Sequence, residues 1–359
     1  MNSIGAHKDE IEDAAALRAR AFLARVSQVF EKTPFVPHKL FRGGHTQTMA
    51  AYFWPRPYRL NSPADEERLF EVEPGAKVLA HCRWQSERTG RPTVVLWHGI
   101  EGSTASVYMI ATADKAFRAG FNVVRVNLRN CGGTEHLTPT LYHGGLSADL
   151  RAVITELIEK DKLTRILPIG YSLSGNMVLK LAAEYGENPP AEVAGICAVS
   201  PSVNLGASSD MIRQRSNWIY HHDFVRRLRR RIKVKHELYP ELYDVGRVSR
   251  VHTIRDFDEY FTAVVHGFEN ADDYYHKASS IDDIGSIRLP TLIIHAQDDP
   301  FIPFAPLRNA ALAANPYILL LDPERGGHVA FISSELNGDE DRFWAENRVI
   351  EFCKLAVNP

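Results

Sequence analysis

Short runs of apolar, β-branched residues recur along the middle and the end of the chain, and helical patterns separate most of them. Six such runs are present: TVVLWHG (93–99), NVVRVNLR (122–129), RILPIGYS (165–172), VAGICAVS (193–200), TLIIHAQ (291–297) and YILLLD (317–322). Strands that are apolar throughout and alternate with helices are typical of a parallel sheet covered on both faces. The sequence therefore predicts an α/β protein with a mostly parallel central sheet flanked by helices.

The segment before this series has a different pattern. Residues 11–30 place Ala, Leu, Phe and Val among charged residues at a spacing of about 3.6, which predicts an amphipathic helix. Residues 68–73 and 77–85 alternate around a Pro-Gly pair, which predicts an antiparallel hairpin. We assign residues 1–40 to an N-terminal helix and linker.

Between residues 202 and 288 the alternation of strands and helices stops. This stretch has aromatic and charged residues in a helical pattern, and a structureless loop of such length is improbable in a compact domain. We therefore predict an inserted helical cap at residues 202–288, with residues 41–201 and 289–359 forming the core domain. Both junctions follow or precede strands, so the cap is expected to cover the ligand site beyond the strand ends.

Composition and charge exclude several classes of protein. The 359 residues are 45% hydrophobic, and 42 basic against 44 acidic side chains leave a net charge of -2, so no global field favours nucleic acid or an anionic membrane. Four widely spaced cysteines without a C-x-x-C pair favour free thiols in a reducing compartment. Acidic residues interrupt the N-terminal segment where a secretory signal would be apolar, and no apolar run is long enough for a membrane helix. We expect a cytoplasmic protein.

The sequence GYSLS at residues 170–174 follows an apolar strand and precedes a helical pattern. Nucleophilic serines stand above a sheet in this strand–turn–helix setting, and the residues flanking such a serine must be small because the turn is tight and strained. The pattern is G-x-S-x-S, since Ser174 stands where the commoner motif has a second glycine. We interpret Ser172 as a catalytic nucleophile.

Two further residues complete a candidate catalytic triad. Asp298 and Asp299 follow the strand at residues 291–297, and His328 lies in a glycine-rich loop after the last strand. The chain order serine, acid, histidine, with these placements, is that of hydrolases with such a turn. A serine hydroxyl needs the histidine as base, and the acid orients the imidazole. We assign Asp299 as the acid from its spacing to a following Ile-Pro pair, and Asp298 as a neighbour that caps the loop.

Tetrahedral intermediates of acyl transfer also require backbone N–H groups aimed at the oxyanion. One comes from the residue after the nucleophile and the other from the loop after an early strand, which here predicts Leu173 and Ile100. The sequence His98-Gly99-Ile100 has one glycine after the histidine, unlike the HGGG pattern of some lipases.

Several longer motifs extend this picture. They are GGHTQT, WHGIEGS, NLRNCGGT, YHGGLSADL, GYSLSGN, RDFDEYFTAVVHGFENADDYY, IHAQDDPF and GGHVAF. From Phe41 to its C-terminus the chain resembles the YheT-like branch of α/β-hydrolase esterases and lipases. The resemblance implies the α/β-hydrolase fold, Ser172 as nucleophile, His328 as general base and an acid in the DDP segment. It also implies activity on carboxylic esters, including lipid esters in some members.

We expect a serine hydrolase that cleaves carboxylic esters of short to medium acyl chains, or lipid esters, through an acyl-enzyme. An acyltransferase with the same acyl-enzyme remains an alternative, because the choice between water and alcohol depends on the shape of the pocket. A non-catalytic ligand-binding homologue is a second alternative, and the intact triad argues against it. The cap is expected to set acyl-chain preference, and its candidate aromatic residues are Trp218, Tyr220, Phe224, Phe257, Tyr260 and Phe261.

No motif predicts a cofactor, a metal or a nucleic-acid partner. His221-His222-Asp223 has no companion at metal-ligand spacing, and the phosphate-binding glycine motifs are absent from the sequence. We interpret the basic cluster at residues 226–235 as the solvated face of a cap helix, which leaves at most peripheral membrane contact through the cap. The sequence predicts no particular oligomeric state.

Overall fold

The computed structural model describes residues 2–56 and 65–358 of the chain. Within these residues a single eight-stranded sheet has the order β1-β2-β4-β3-β5-β6-β7-β8. The strands are β1 Glu66–Glu73, β2 Ala76–Arg83, β3 Thr93–Trp97, β4 Asn122–Val126, β5 Ile166–Tyr171, β6 Ile196–Val199, β7 Thr291–Ile294 and β8 Ile318–Leu321. β1 pairs with β2 and β2 with β4 in antiparallel register, and the other pairs are parallel. The predicted hairpin and mostly parallel sheet are confirmed.

Helices connect and cover the strands. In chain order they are α1 Asn2–Phe30, α2 Gly44–Phe53, α3 Val107–Arg118, α4 Ser147–Glu159, α5 Leu173–Tyr185, α6 Leu205–Ile212, α7 Trp218–Leu238, α8 Ile254–Phe257, α9 Ala263–His266, α10 Ala271–Ala278, α11 Ala310–Ala314 and α12 Trp344–Val357. A π-helical turn, Asp258–Thr262, joins α8 to α9. The helix predicted at residues 11–30 is therefore the C-terminal part of a longer one.

The two faces of the sheet are covered by different helices. α1, α3 and α12 pack on one face, and α4 and α5 pack on the other. Every residue of β3, β5, β6 and β7 is consequently buried. This double burial explains why these strands are apolar at each position instead of alternating, as strands of parallel sheets are.

The strands are shorter than the apolar runs that predicted them. The run at residues 122–129 continues to Leu128 and Arg129, yet β4 ends at Val126. Leu128 is nevertheless buried in the core, although it lies outside the sheet. Apolar sequence reports burial, whereas strand ends depend on where the chain leaves the hydrogen-bonded ladder, and here it leaves at the carboxyl edge.

Residues 202–288 contain α6 to α10 and no strand. Their apolar side chains form a cluster of their own around Leu228, Ile232 and Phe261, which Leu141, Phe301 and Ile302 of the flanking segments join. We propose, as the sequence suggested, that this stretch is a distinct helical cap on the core domain. The name cap refers below to residues 202–288.

Two members of the basic cluster at residues 226–235 are buried, so its interpretation as a solvated face was wrong for them. The Arg231 guanidinium lies 2.9 Å from the Glu101 carboxylate, and Lys235 donates a hydrogen bond of 3.0 Å to the carbonyl of Glu135. Arg226, Arg227, Arg230 and Lys233 do face solvent. The period of a helix turns every third or fourth residue inward, and here two of those inward positions are cationic.

All four cysteines are buried and unpaired. Burial raises the pKa of both Cys82 and Cys131 to about 12. These thiols are therefore protonated at neutral pH and inaccessible, which makes them poor nucleophiles.

No helix in the described parts of the chain combines the length and the apolar content that crossing a bilayer would require.

Removing Arg231 from its buried pair with Glu101 should strongly destabilise the protein. In the Arg231→Met variant the Glu101 carboxylate loses its buried counter-ion, and we expect a loss of about 3 kcal/mol in the free energy of unfolding. Urea unfolding followed by circular dichroism measures it. The matched control is Arg230→Met on the exposed side of α7, which should change stability by less than about 0.5 kcal/mol. Equal losses in the two variants would contradict the assignment.

Candidate functional site

Ser172 occupies the turn between β5 and α5 in a strained backbone conformation. Its φ is 54°, which is unusual for a residue other than glycine. Its N–H donates a hydrogen bond of 2.9 Å to the carbonyl of Val199, which ties the turn to the end of β6. Strain of this kind persists only where the surrounding structure imposes it, and it places the side chain above the carboxyl edge of the sheet.

The turn is possible because Gly170 and Gly175 have no Cβ and because Ser174 forms a hydrogen bond to a neighbouring loop. A Cβ added to Gly170 would lie 2.1 Å from the carbonyl oxygen of Ser174, and one added to Gly175 would lie 2.9 Å from Cα of Pro201. Ser174 itself is buried and donates a hydrogen bond of 2.5 Å to the carbonyl of His98. Ser174, which departs from the common motif, thus joins the turn to the loop after β3. Gly175 allows the start of α5 to lie close to Pro201.

His328 and Asp299 form a hydrogen-bonded pair at the same edge. The distance from Nδ1 of His328 to Oδ2 of Asp299 is 2.8 Å. The other carboxylate oxygen of Asp299 accepts the N–H groups of Phe301 and Ile302 at 2.8 and 3.0 Å. Burial would raise the pKa of Asp299, but His328, His295 and these hydrogen bonds outweigh it and hold the pKa below its ordinary value. The acid is therefore ionised wherever the imidazole is neutral.

Asp298 plays a different part from its neighbour. Its Oδ1 accepts the N–H of Gly327 at 2.9 Å, so it holds the loop that carries His328 and does not contact the imidazole. The N–H of His328 in turn donates to Oγ1 of Thr48 at 2.9 Å. Of the two adjacent aspartates, the structure places Asp299 against the ring and Asp298 beneath the glycine-rich loop.

Ser172 and His328 line a cavity that is partly open to solvent and has about 730 Å³ of empty space. Within the described residues no hydrogen bond joins the Ser172 hydroxyl to the imidazole. Such contacts are often long in the absence of substrate and shorten when it binds. The cavity brings together Ser172, His328, Ile100 and Leu173, four of the five predicted site residues. Asp299 lies behind His328.

Two backbone N–H groups near Ser172 are free of hydrogen-bond partners in the described part of the chain. They belong to Leu173, at the N-terminus of α5, and to Ile100, in the loop after β3. That loop passes close to the nucleophile, since a Cβ on Gly99 would lie 2.9 Å from Cβ of Ser172. The positive end of the α5 dipole adds to the preference of this place for negative charge.

Most of the cavity wall is apolar. Its apolar residues from the cap and the adjoining loops are Leu205, Ile212, Phe224, Leu228, Ile254, Phe257, Phe301 and Ile302. A second opening of about 730 Å³ shares Ser172, His328, Ile100, Phe224 and Phe301, and it leads past Tyr52 and Arg56. Two separate spaces therefore meet at the serine.

Comparison with known proteins agrees with this arrangement. Residues 94–337, more than half of the chain, match the alpha/beta hydrolase family. The chain belongs to this family. It is 30% identical to YheT of Escherichia coli (strain K12), a candidate esterase, over 88% of this chain and 91% of that protein. The resemblance to the YheT-like branch is thereby confirmed.

Other members of the alpha/beta hydrolase family are more distant. A monoacylglycerol lipase of Saccharomyces cerevisiae is 28% identical to this chain. The match covers 74% of this chain and 59% of the yeast protein. The Pyrococcus furiosus esterase Pf2001 superimposes with a TM-score of 0.56 at 17% identity, covering 84% of this chain and 96% of the esterase. That structural likeness supports the α/β-hydrolase fold, and the relatives place the chain among the esterase and lipase type.

The sequence did not reveal how this α/β-hydrolase chain holds the loop after β3. Tyr142 accepts the N–H of Glu101 at 3.2 Å and donates to its carboxylate at 2.8 Å. His98 accepts the N–H of Leu128 through Nε2 at 3.0 Å, so its proton lies on Nδ1 and is directed to the Gly99 carbonyl 2.7 Å away. Burial lowers the pKa of His98 to about 4, which keeps it neutral.

Within the described residues no group of three His, Cys, Asp or Glu side chains is arranged to hold a metal ion.

The turn at Ser172 should tolerate no side chain at Gly170. In the Gly170→Ala variant the new Cβ would lie 2.1 Å from a backbone oxygen that cannot move without opening α5. We expect a loss of at least about 3 kcal/mol in unfolding free energy, or no soluble protein. The control is Gly90→Ala, where nothing lies within 4 Å of the added Cβ. Thermal denaturation compares the two, and a Gly170→Ala protein as stable as the control would refute the constraint.

Proposed function

We propose that this protein hydrolyses carboxylic esters through an acyl-enzyme on Ser172, with His328 as general base and Asp299 as the acid that orients it. The observation that carries the proposal is the 2.8 Å contact between His328 and Asp299 at the cavity that Ser172 lines. A serine above the sheet, a histidine fixed by a buried carboxylate and two free N–H groups are the parts that acyl transfer requires. The relatives that the chain matches include proteins named as an esterase and a lipase.

In the proposed acylation step, the hydroxyl oxygen of Ser172 attacks the ester carbonyl while Nε2 of His328 takes its proton. The negative charge develops on the carbonyl oxygen, and the N–H groups of Leu173 and Ile100 stabilise it. The carbon–oxygen bond to the alcohol then breaks, and His328 returns the proton to the leaving alcohol. Asp299 remains ionised and stabilises the imidazolium.

Deacylation repeats these steps with water. His328 takes a proton from the water molecule as its oxygen attacks the acyl carbon, and the proton returns to Ser172 when the acid leaves. An alcohol in place of water would give transfer of the acyl group instead. Because both acceptors use the same acyl-enzyme, assays with and without added ethanol distinguish hydrolysis from transfer.

We propose that the acyl chain lies in the first cavity, beneath the cap, and that the alcohol lies in the second opening. The first cavity has aliphatic and aromatic side chains of the cap on its wall, among them Leu205, Leu228 and Phe257. Of the cap aromatics expected to select chain length, Phe224 and Phe257 line it. Trp218 is instead exposed, and Phe261 is buried in the cap cluster.

Replacing the nucleophile should abolish both turnover and covalent labelling. We expect Ser172→Ala to lower kcat for p-nitrophenyl esters by about 10⁴-fold or more and to prevent labelling by a fluorophosphonate probe. Ser103→Ala, in a nearby loop, should retain labelling. Labelling that survives on Ser172→Ala would assign the nucleophile to another serine.

The two adjacent aspartates provide a matched pair for testing the acid. Asp299→Asn should lower kcat by about 10³- to 10⁴-fold, because the amide no longer fixes the tautomer of His328 or stabilises its charge. Asp298→Asn keeps an acceptor for Gly327 and should cost about tenfold or less. Steady-state kinetics on one ester decide between them, and the opposite ranking would overturn the assignment of Asp299.

A further inference from the structure

One buried carboxylate, in the first cavity beneath the cap, has no part in the proposed reaction. Asp258 begins the π-helical turn of the cap and is 8% exposed. Its Oδ1 accepts the hydroxyl of Thr262 at 2.7 Å, and its Oδ2 accepts the hydroxyl of Tyr275 at 2.7 Å. Oγ of Ser209 lies 3.2 Å from the Tyr275 oxygen. All four side chains line the cavity that reaches Ser172.

This carboxylate has no cationic partner within the described residues. Arg255, on the preceding helix α8, pairs with Asp272 instead. Burial is the main cause that raises the pKa of Asp258 to about 6, so the group is largely ionised at neutral pH. An ionised carboxylate can accept about four hydrogen bonds, and only two acceptor positions are filled here. Unused acceptor capacity on a buried carboxylate therefore borders the cavity, and a buried charge without a counter-ion is costly.

We propose that Asp258, held by Thr262 and Tyr275, is a recognition site for a substrate hydroxyl, so that the preferred substrates are esters with a hydroxyl group remote from the ester carbonyl. This inference rests on the proposed function, because it uses the same cavity and the same nucleophile. A hydroxyl donor compensates the buried carboxylate, and an alkyl chain occupies the part of the cavity that connects Asp258 with Ser172.

A neutral hydroxyl fits this place better than an ammonium group. Both groups that hydrogen-bond to the carboxylate are hydroxyls at 2.7 Å, so the geometry suits O–H donors. A primary ammonium would have to be desolvated to cross the apolar part of the cavity, which costs far more than desolvating a hydroxyl. Arg255 adds a positive potential at Asp258, which also disfavours a second cation.

The hydroxyl could be carried by the acyl chain or by the alcohol, and two sets of esters separate these sources. The first compares p-nitrophenyl esters of alkanoic acids with those of ω-hydroxyalkanoic acids of the same length, from short to long chains. The second compares alkanoate esters of monoalcohols with those of diols of the same length. Esters of ω-aminoalkanoic acids form a third arm that tests for a cation site.

For the wild-type protein we expect kcat/KM to favour the ω-hydroxyacyl ester by about 10- to 100-fold at its best chain length. In the Asp258→Asn variant this ratio should fall towards one. In Asp223→Asn, which removes a half-buried carboxylate of α7 that does not line the cavity, it should stay at the wild-type value. Preference confined to the diol esters would assign the hydroxyl to the alcohol, with Asp258 still as its acceptor. Preference for the amino ester, or none for either hydroxylated set, would overturn the inference.

The wild-type ratios need no variant, so they test the inference even if Asp258→Asn fails to fold. Hydrolysis of the plain esters with fluorophosphonate labelling of Ser172 would uphold the proposed function while a ratio near one refutes the hydroxyl site. Absence of both hydrolysis and labelling would instead refute the proposed function itself.

The selectivity should also depend on pH. Tyr274 and Tyr275 of α10, Arg255 of α8, Ser209 of α6 and His143 of the loop before α4 lie around Asp258 or the adjoining cavity wall. Asp258 is the group among them whose pKa lies near 6. Its charged form accepts a hydroxyl more strongly, so the ratio should rise between about pH 5 and pH 7. Both esters use the same nucleophile and base, so effects of pH on the chemical step cancel in the ratio. A ratio independent of pH would count against Asp258 as the acceptor.

Discussion

The site depends on one constraint of close approach. The loop after β3 and the turn after β5 come together with no room for a Cβ at Gly99, and the turn itself has none at Gly170. Ser174 joins the two segments with a hydrogen bond to the His98 carbonyl. This contact sets the height of Ser172 above the sheet and brings the N–H groups of Ile100 and Leu173 to the same space. Parallel strands supply the framework, because their carboxyl ends all reach one edge.

The cap is joined to that same loop through polar contacts. Glu101 follows Ile100 directly, and its carboxylate accepts hydrogen bonds from both Tyr142 and Arg231 of α7. A displacement of α7 would therefore disturb the segment that presents the Ile100 N–H. In the proposed reaction, the arrangement links the part of the protein that would surround the acyl chain to the part that would stabilise charge on the carbonyl oxygen.

The sequence predicted the sheet and the residues at its edge well, for identifiable reasons. Apolar β-branched runs mark buried strands. In hydrolases with such a turn the nucleophile, acid and base follow particular strands in a fixed order, so Ser172, Asp299 and His328 could be proposed for these roles in advance. The buried positions of Arg231, Lys235 and Asp258 could not be predicted from the sequence. Helical periodicity alone does not say which side of a cap helix meets the core, and the partner of Arg231 is distant in sequence. Ser174 appeared only as a departure from a motif, because its acceptor, the His98 carbonyl in the loop after β3, is distant in sequence.

The burial of all four cysteines has a practical consequence for studies of motion. Native thiols that are buried will not react with maleimide dyes or spin labels under mild conditions. A cysteine introduced on the exposed side of α7 and another on the core would then be the sole attachment points, without removal of any native residue. Distances between such probes would report directly on whether the cap opens during turnover.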